Sequence, residues 1–506
     1  KSLIDQDAIR HIQPKSIGDM LQLVPGNLIE NPNLNSLSQA HIREIGTEAN
    51  NALGTLVIVD GTPLSNDGNM EVISTARYGA KADGNGLTLG ENTTAARGTD
   101  LRTVSAGNVE SMEVIRGIPS VEYGNLTSGV VIVNTKSGHT PWEAKVSADP
   151  NSKLAFVGKG FQLRQGGAVN FSVDWAQSWA DTRLHYRGFD RVTASLGYSN
   201  KFGPVTFNVR GAFYTNINNT KRDAQMTETY SEWKNTNTGG RLAVNGRYTG
   251  DRSFITSLDY KLSAQMNRQR DWKSTWVSNP DGVITDTREQ GLQEARFKRY
   301  GYQSEYTIES IPVNLYAQVV ANKHIQMSDR NFTSLKLGAE YTYDGNSGDG
   351  MTYDTENPPQ AQGTQTLRPR AYKDIPGISA LSVFLSDRTS LHLGTMKAQV
   401  EAGVRLSNLF LDKEKSGGNS SYLVAEPRIN ASLSLLDRTN NQVLDVLTLT
   451  GGFGLSNKMP PLVHLYPDAA YFDNVALARW TDNEDDRLAL VQTTIVSQTQ
   501  NADLKP

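Results

Sequence analysis

The sequence predicts a large antiparallel β domain, of the kind that spans a membrane, preceded by a small α+β domain. Helix and strand patterns mix in residues 1–138, whereas from residue 139 onward apolar residues recur at every second position. The longest alternating run extends from Met396 to Leu406, and its eleven residues match the length of a tilted transmembrane strand. We therefore expect two domains, residues 1–138 and residues 139–506.

The first domain shows one helix pattern and three strand patterns. Ser16 to Asp19 forms a capping-box sequence, and the apolar residues that follow predict a short helix that ends before Pro25-Gly26. A compact strand, Leu56 to Val59, is followed by the turn dipeptide Asp60-Gly61. Two further strands are predicted at 109–115 and 130–133. The Gly-, Asn- and Thr-rich stretch at 66–100 is typical of long loops.

The second domain alternates in a way that fits two architectures. A soluble β-sandwich and a membrane barrel both expose one face of each strand, so alternation alone does not separate them. Strand length favours the barrel, because strands of soluble sheets usually have about five or six residues. The runs 192–198 and 205–213 predict a hairpin, and polar stretches at 267–299, 344–373 and 481–487 predict loops. No run approaches the ~18 apolar residues of a spanning helix.

Composition narrows the function classes. The 506 residues include 50 Lys and Arg against 53 Asp and Glu, so no basic field favours nucleic acid as a partner. Cysteine is absent, which excludes disulfides, thiolate metal sites and Cys nucleophiles. The seven His residues lack zinc-site spacing, and we expect neither a metal nor a cofactor. No carboxylate pair is marked as catalytic by its spacing, so we expect no enzyme.

Three motifs of the first domain occur in an order that resembles a known family. They are the helix segment Asp19 to Gly26, the strand and turn Leu56 to Leu64, and the segment Val109 to Lys136. Together they resemble the plug of a TonB-dependent outer-membrane receptor of the Bacteroidetes-like type. In the second domain, the segments 452–461 and 501–506 are similar to barrel segments of the same family.

The resemblance implies an architecture and a location. It places residues 1–138 as a plug inside the lumen of an antiparallel transmembrane β-barrel, in the outer membrane of a Gram-negative cell. A complete barrel of this sort has about 22 strands. The second domain has 368 residues, which are few for about 22 strands with long loops. The sequence also ends at Pro506 and not in a strand with a terminal aromatic residue. We expect the barrel to be incomplete at its carboxyl end, and the chain to be a mature form or a fragment.

The plug motif also implies roles for particular residues. Glycines 117, 124 and 129 are expected where the backbone turns sharply or passes close to another segment. Glu113 and Arg116 lie three apart in a predicted strand, so they project to opposite faces. We expect each to pair with a charge on the barrel wall, or else to be solvated. The motif further includes Asp60, Gly61 and Tyr123.

Two departures from the family pattern concern partners. The SusC-type branch has Leu-Lys-Asp where this chain has Val114 to Gly117, so an obligate surface lipoprotein is not expected, although one remains a possible partner. No TonB box is recognisable near Lys1, and we expect this segment to lie upstream of the plug.

The resemblance implies active import of a scarce, bulky solute, such as a siderophore, cobalamin, an oligosaccharide or a peptide. The partners would be TonB with its inner-membrane motor and the outer-membrane lipid. The expected solute contacts lie in the turn and loops after the central strand, and for each residue the alternative is a solvated loop residue. These residues are Asn66, Asp67, Asn69, Arg77, Tyr78 and Arg97.

Two alternatives remain open from the sequence. One is a passive outer-membrane channel or surface-binding barrel without energy coupling, against which the separate first domain argues. The other is a secreted carbohydrate-binding or hydrolytic β-protein, which predicts a chain that stays in the aqueous phase without detergent.

Overall fold

The structure, a computed structural model, describes most of the chain. The described residues are 1–25, 34–42, 52–74, 88–89, 94–95, 97–164, 166–183, 187–222, 230–250, 254–277, 282–359, 367–394, 396–412, 421–437, 446–483 and 486–496.

The amino-terminal domain is built on a five-stranded sheet flanked by two short helices. The helices are α1 (Gln6–Ile12) and α2 (Ile17–Met20). The sheet has the order β1-β6-β7-β2-β3, in which β2 and β7 run parallel and the other neighbours antiparallel. The strands of this domain are β1 (Ser2–Ile4), β2 (Thr55–Val59), β3 (Thr62–Pro63), β4 (Val72–Ser74), β5 (Thr88–Leu89), β6 (Val109–Ile115) and β7 (Gly129–Thr135), with β4 and β5 forming a separate pair.

The predicted capping box begins the second helix. The Asp19 carboxylate accepts hydrogen bonds from the backbone N–H groups of Lys15 and Ser16, each at 2.8 Å, and satisfies donors that a helix start leaves free. Burial raises the pKa of Asp19, although these backbone hydrogen bonds act in the opposite direction. The predicted helix is confirmed with one difference, since the α-helix ends at Met20 and a 3₁₀ turn continues to Leu23.

The three predicted strands of this domain are confirmed as parts of β2, β6 and β7. Because β2 and β7 are central and parallel, their apolar runs are buried almost throughout, whereas the neighbouring β6 alternates. Their side chains form one core with the helices, to which Ile17, Met20, Val57, Met112 and Val133 contribute.

A second, much larger sheet of 15 strands follows. Its strands are β8 (Thr140–Asp149), β9 (Ser152–Gln162), β10 (Ala168–Trp179), β11 (Arg187–Phe202), β12 (Val205–Thr220), β13 (Ser231–Thr249), β14 (Ser257–Val277), β17 (Tyr302–Ser310), β18 (Pro312–Gln326), β19 (Phe332–Asn346), β20 (Gly350–Tyr353), β21 (Ile378–Leu393), β22 (Met396–Phe410), β23 (Ser421–Asp437) and β24 (Val446–Gly454).

Neighbours in this sheet are antiparallel and follow the chain order from β8 to β24. The long strand β14 pairs with β18 along its first half and with β17 along its second half. Within the described residues, β8 and β24 end the main path of the sheet, and β20 ends the branch that begins at β17. The described part thus has fewer strands of this sheet than the roughly 22 of a complete barrel of the resembled family.

The predicted alternation is confirmed in β22. Val400, Val404 and Leu406 are exposed on the outer face, whereas Arg405 and Ser407 are buried on the inner face. An apolar outer face and a polar inner face are the arrangement of a membrane barrel and the reverse of a soluble β-sandwich. The predicted fold class, a transmembrane β-barrel type of sheet with a small α+β domain, is therefore confirmed.

Three predicted loops are wrong in part, because 66–100 contains β4 and β5, 344–373 contains β20, and 267–299 contains the longest strand segment. The polar stretch 267–299 contains the second half of β14 and two further strands, β15 (Gly282–Ile284) and β16 (Gly291–Lys298). Alternation of apolar and polar residues is lost there because both faces of β14 carry polar side chains, with Gln269 and Asp271 buried inside and Arg268 exposed outside. A strand with two polar faces has the composition of a loop.

The two ends of the large sheet differ in their connections. At the end where β8 begins, only residues 203–204 join β11 to β12, and residues 394–395 join β21 to β22. At the opposite end, residues 347–377 separate β19 from β21. That end also carries helix α3 (Leu462–Leu465) and a four-stranded sheet of order β15-β16-β26-β25, in which β25 is Ala470–Arg479 and β26 is Leu488–Val496.

None of the helices in the described part of the chain is long and apolar enough to cross a membrane.

Candidate functional site

The amino-terminal domain lies against the inner face of the large sheet, and buried polar contacts hold it there. On one side, Arg191 of β11 is fully buried and pairs with Asp174 of β10. The same guanidinium donates to the backbone carbonyls of Lys15 and Arg102 in the amino-terminal domain. The position of this domain inside the curved sheet is the arrangement that the resemblance predicted.

The turn after the central strand makes a second contact with the sheet. Asp60 and Gly61 both have positive φ angles, 50° and 84°, which allow the tight reversal from β2 to β3. The Asp60 carboxylate accepts a hydrogen bond from the backbone N–H of Thr135 and lies 3.4 Å from the Arg210 guanidinium. Asn245 donates to the Asp60 carbonyl. The turn is thus fixed both within its own domain and against β12 and β13.

A third contact centres on Glu122, between β6 and β7. Its carboxylate pairs with Lys261 of β14 at 2.9 Å and with Lys336 of β19 at 3.0 Å. Burial of Glu122 acts to raise its pKa, but the two lysines outweigh burial and lower the pKa to about 2. Glu122 is therefore ionised at neutral pH and joins two strands of the wall through one side chain.

The backbone around Glu122 is held by cations of the same wall. Arg428 donates to the carbonyls of Ser120 at 3.0 Å and Tyr123 at 2.7 Å. Arg405 donates to the Glu122 carbonyl at 3.3 Å. We call this set, the segment 118–123 with Lys261, Lys336, Arg405 and Arg428, the Glu122 clamp.

Barrel carboxylates neutralise the two arginines of the clamp. Arg405 pairs with Glu340, and Glu426 lies 3.3 Å from Arg428 and 3.8 Å from Arg405. All four side chains are buried or nearly so. The arginine charges are therefore balanced within the wall, and their contacts with the clamp segment are hydrogen bonds to backbone carbonyls.

The expected partners of Glu113 and Arg116 were wrong. Glu113 pairs with Lys1 at 2.7 Å, and Arg116 donates to the carbonyl of Pro25 and to the Ser2 hydroxyl. Both residues thus pair within their own domain, where β1 lies next to β6 in the sheet. The wall-facing charge of this region is Glu122, six residues after Arg116, which no local pattern distinguished.

The three glycines of the motif differ in their surroundings. Gly124 lies against the Arg405 side chain, and Gly129, with φ of 159°, lies against the Ile115 carbonyl, so a Cβ at either position would collide. Gly117 lies at a bend in open space. Tyr123, next to Gly124, is largely buried, and burial raises its pKa above the ordinary value.

The residues expected to contact a solute lie beneath the long-loop end of the sheet. The Asn66 amide donates to the carbonyls of Thr94 and Arg97. Asn69 is fully buried and accepts a hydrogen bond from Ser310. Arg97 lines a cavity, and its Nε has no partner among the described residues. Arg77 and Tyr78 lie outside the described residues.

A strap from the large sheet covers these residues. It is the segment 455–466 after β24, which includes α3. The Leu462 N–H donates to the Asp67 carbonyl at 2.9 Å, and the Met459 N–H donates to the Asn125 side chain at 2.8 Å. Met70 packs in an apolar cluster with residues of the strap and of the β19–β21 connection, which are Met351, Tyr372, Met459, Leu462, Leu465 and Tyr466. Solute contact at Asp67 or Asn69 therefore requires movement of this cover.

No group of three or more His, Cys, Asp or Glu side chains is placed to hold a metal ion within the described ranges. Many polar groups of this interface form ion pairs and carbonyl contacts, which attach the amino-terminal domain to the wall.

Comparisons with known proteins agree with this architecture. Residues 1–131 match the family model described as the TonB-dependent receptor plug domain. A search among curated proteins found no match.

Solved structures share the fold at low identity. A variant of the ferric enterobactin receptor PfeA from Pseudomonas aeruginosa is 18% identical, with a TM-score of 0.58 over 94% of this chain and 64% of that one. The siderophore receptor PirA from Acinetobacter baumannii is 18% identical, with a TM-score of 0.53 over 100% of this chain and 66% of that one. The RagAB peptide transporter is 11% identical, with a TM-score of 0.53 over 91% and 59%. The chain thus spans less than two thirds of the length of PfeA.

Proposed function

We propose that this chain, a TonB-dependent outer-membrane receptor by its plug domain and barrel fold, imports a scarce and bulky solute with energy delivered through TonB. The observation that carries the proposal is the Glu122 clamp. A plug held by partly buried ion pairs and by carbonyl contacts keeps the lumen closed until work is done on it.

Energy coupling has a physical reason on the solute side as well. A receptor that collects a dilute solute must bind it tightly, and tight complexes dissociate slowly because affinity differences lie mostly in the off-rate. Binding of the solute can shift the equilibrium between the open and closed plug only as far as the solute's affinities for the two states differ. External work on the plug removes both limits, because it opens the lumen and breaks the solute contacts together.

The strap supports capture at the long-loop end. It covers Asp67 and Asn69 through backbone and apolar contacts, so a solute that displaced it would reach the plug. The structural neighbours include receptors named for ferric enterobactin and for siderophores, and a peptide transporter. For this chain a siderophore, cobalamin, an oligosaccharide and a peptide all remain candidates. TonB and its inner-membrane motor, the outer-membrane lipid and, for some solutes, a surface lipoprotein are the proposed partners.

The test is growth of a deletion strain on a panel of limiting nutrients. We expect growth on one nutrient class to require the gene. We expect the wild-type gene to restore that growth only when TonB is present. Growth that the gene restores without TonB would show a passive channel instead. An unchanged panel after deletion, with iron, cobalamin, glycan and peptide sources each limiting, would contradict import of these solutes.

A further inference from the structure

The outer face of the large sheet carries a groove formed by two rows of outward-facing residues. Strand register places Val173, Ala194, Phe213, Gly240, Met266 and Val313 side by side in one row. The next row toward the short-turn end consists of Phe171, Leu196, Gly211, Leu242, Ala264 and Leu315. Because small residues alternate with bulky ones in both rows, they form a depression with bulky walls. We call it the outer groove.

The walls of the outer groove are apolar and open to the surroundings of the barrel. Leu196, Phe213, Leu242 and Met266 are between 47% and 60% exposed. The groove has a volume of about 690 Å³, which lies within the range of ligand sites. Its size and lining therefore suit an elongated apolar group.

The two glycines of the groove are not required by the packing of the described residues. Apart from its chain neighbours, a Cβ at Gly240 would come no nearer than 3.6 Å to a heavy atom, and one at Gly211 no nearer than 3.9 Å. Neither glycine has a positive φ angle. Glycine weakens a strand interior and often marks the close approach of another molecule. The space above Gly211 and Gly240 therefore indicates an occupant from outside the chain.

Basic residues stand directly beyond the groove, toward the long-loop end. On the outer face of β14, Met266 is followed by Arg268 and Arg270, and Lys234 of β13 stands one row further. The Arg268 side chain is 62% exposed and pairs with Glu309. Arg270 and Lys234 are exposed, and the side chain of neither forms an ion pair or hydrogen bond with a described residue.

Carboxylates of the outer face do not balance these cations. In the three rows beyond the groove, β13, β14 and β17 carry three cations and one carboxylate, Glu309. Asp190 lies three strands away on β11 and accepts a hydrogen bond from Gln177. Glu232 and Glu305 both stand two rows further than Arg270. A surplus of positive charge therefore borders the groove on one side.

The change from apolar to basic residues matches a boundary within the membrane. The outward residues of β14 from Leu258 to Met266 are apolar or aromatic, and the next one is Arg268. Thr215 and Thr238 share a hydrogen bond in the row of Arg268. Barrels place their longer loops on the extracellular side, so this boundary faces the headgroups of the outer leaflet.

We propose that the outer groove is a specific lipid site, in which an acyl chain lies over Gly211 and Gly240 while Arg268, Arg270 and Lys234 hold a phosphate. Guanidinium groups bind phosphate through paired hydrogen bonds, and the acyl chain gains contacts with the bulky walls. The outer leaflet of a Gram-negative outer membrane is built from phosphorylated glycolipid, so the occupant is lipid A. The site lies outside the lumen, and the inference does not depend on the proposed import function.

The test counts lipids bound to the full-length protein, freed of lipid in a nonionic detergent, by native mass spectrometry. The probes are synthetic hexa-acyl diphosphoryl lipid A, phosphatidylglycerol as an anionic phospholipid, and phosphatidylcholine as a lipid without net charge. We expect one lipid A to bind at least ten-fold more tightly than either phospholipid. Gly240→Phe fills the groove, and Arg268→Gln/Arg270→Gln removes two cations. We expect each to weaken lipid A binding at least ten-fold.

Each variant has a matched control. Gly451→Phe adds the same ring to the outer face between the exposed Leu449 and Phe453, with open space above Gly451 and outside the groove. Arg183→Gln removes an exposed arginine that, like Arg268, pairs with a carboxylate. We expect both controls to bind lipid A as wild type does.

Heat-dependent gel mobility shows which variants contain a folded barrel, and only those are compared. The groove and the cations are altered separately, so misfolding of one variant leaves the other as a test. A bound lipid stabilises the folded state, so we also expect lipid A to raise the temperature of the mobility change in wild type but not in Gly240→Phe. Failure of wild type to retain lipid A, equally tight binding of either phospholipid, or equal losses in variants and controls would overturn the inference.

Discussion

Lys458 Nζ lies 2.6 Å from both carboxylate oxygens of Asp67, so one ion pair joins the strap after β24 to the plug. Both side chains are mostly buried, and the Asn125 amide donates to the same carboxylate at 2.9 Å. The pair therefore fixes the cover over the residues expected to contact a solute.

Loss of this pair should open the cover. Because the chain contains no cysteine, Thr99→Cys places a single thiol in the cavity that Arg97 lines. We expect Lys458→Met to speed maleimide labelling of that thiol about ten-fold, which corresponds to ~1.4 kcal/mol in the opening equilibrium. Lys373→Met is the control, since Lys373 forms an exposed pair with Asp349. Equal labelling in wild type and Lys458→Met would exclude the strap as a gate.

The Glu122 clamp should determine how firmly the plug is attached. Glu122→Gln removes the charge that pairs with Lys261 and Lys336 and leaves two partly buried ammonium groups without their partner. The Lys336 side chain is 38% exposed, so the cost lies between that of an exposed and that of a buried pair, about 1–3 kcal/mol, and we expect plug release at a lower urea concentration. Limited proteolysis of the plug in a urea series measures this.

Asp181→Asn is the matched control for the clamp. Asp181 also pairs with an arginine, but Arg183 is 86% exposed at its side chain, and exposed pairs contribute little. A release midpoint that moves equally in both variants would show that the clamp is no stronger than a surface pair.

The clamp should also depend on pH in a defined direction. The pKa of Glu122 lies at about 2 in the folded protein, below the ordinary value of 4.5, because two lysines outweigh burial. A lowered pKa stabilises the folded state above pH 4.5, and that contribution disappears as the pH falls from 4.5 toward 2. We expect the urea midpoint of plug release to fall below pH 4.5 in wild type and to fall less in Glu122→Gln. Parallel curves would assign the acid sensitivity to other groups.

The sequence predicted the elements well but not the contacts between them. The capping box at Ser16 to Asp19 and the alternation of β22 are local patterns, and each follows from helix or strand geometry alone. In the Glu122 clamp, Glu122 contacts Lys261 and Lys336, which lie 139 and 214 positions later in the sequence. No local spacing could reveal contacts over such separations. Glu113 was the more conspicuous carboxylate, yet its strand position turns it toward Lys1.

Burial of the expected solute contacts was equally hidden. The composition of Asn66 to Asn69 predicts a loop, because Asn, Asp and Gly favour turns. The same composition fits an exposed loop and a loop covered by a strap, so it does not predict burial. The cover comes from residues nearly 400 positions later, as the Asp67 to Lys458 pair shows. Likewise, the second half of β14 resembles a loop in composition because both of its faces carry polar side chains.

Two glycines of the plug motif allow a comparison between equal substitutions. In Gly124→Ala the new methyl group would meet the Arg405 guanidinium, which could shift only by disturbing its contacts with Glu340 and the Glu122 carbonyl. In Gly117→Ala the methyl group would enter open space. Overpacking of a filled site costs about 1–3 kcal/mol, so we expect Gly124→Ala alone to weaken plug attachment.

The same urea series measures both variants, with heat-dependent gel mobility as a check that the barrel is folded. Gly124→Ala should release the plug at a lower urea concentration, whereas Gly117→Ala should match wild type because neither glycine has a positive φ angle that favours glycine. Combining Gly124→Ala with Glu122→Gln should add less than the sum of the single effects, since residues that share one set of contacts are not independent. Full additivity would mean that Gly124 acts outside the clamp, and that Arg405 holds the plug independently of the two lysines.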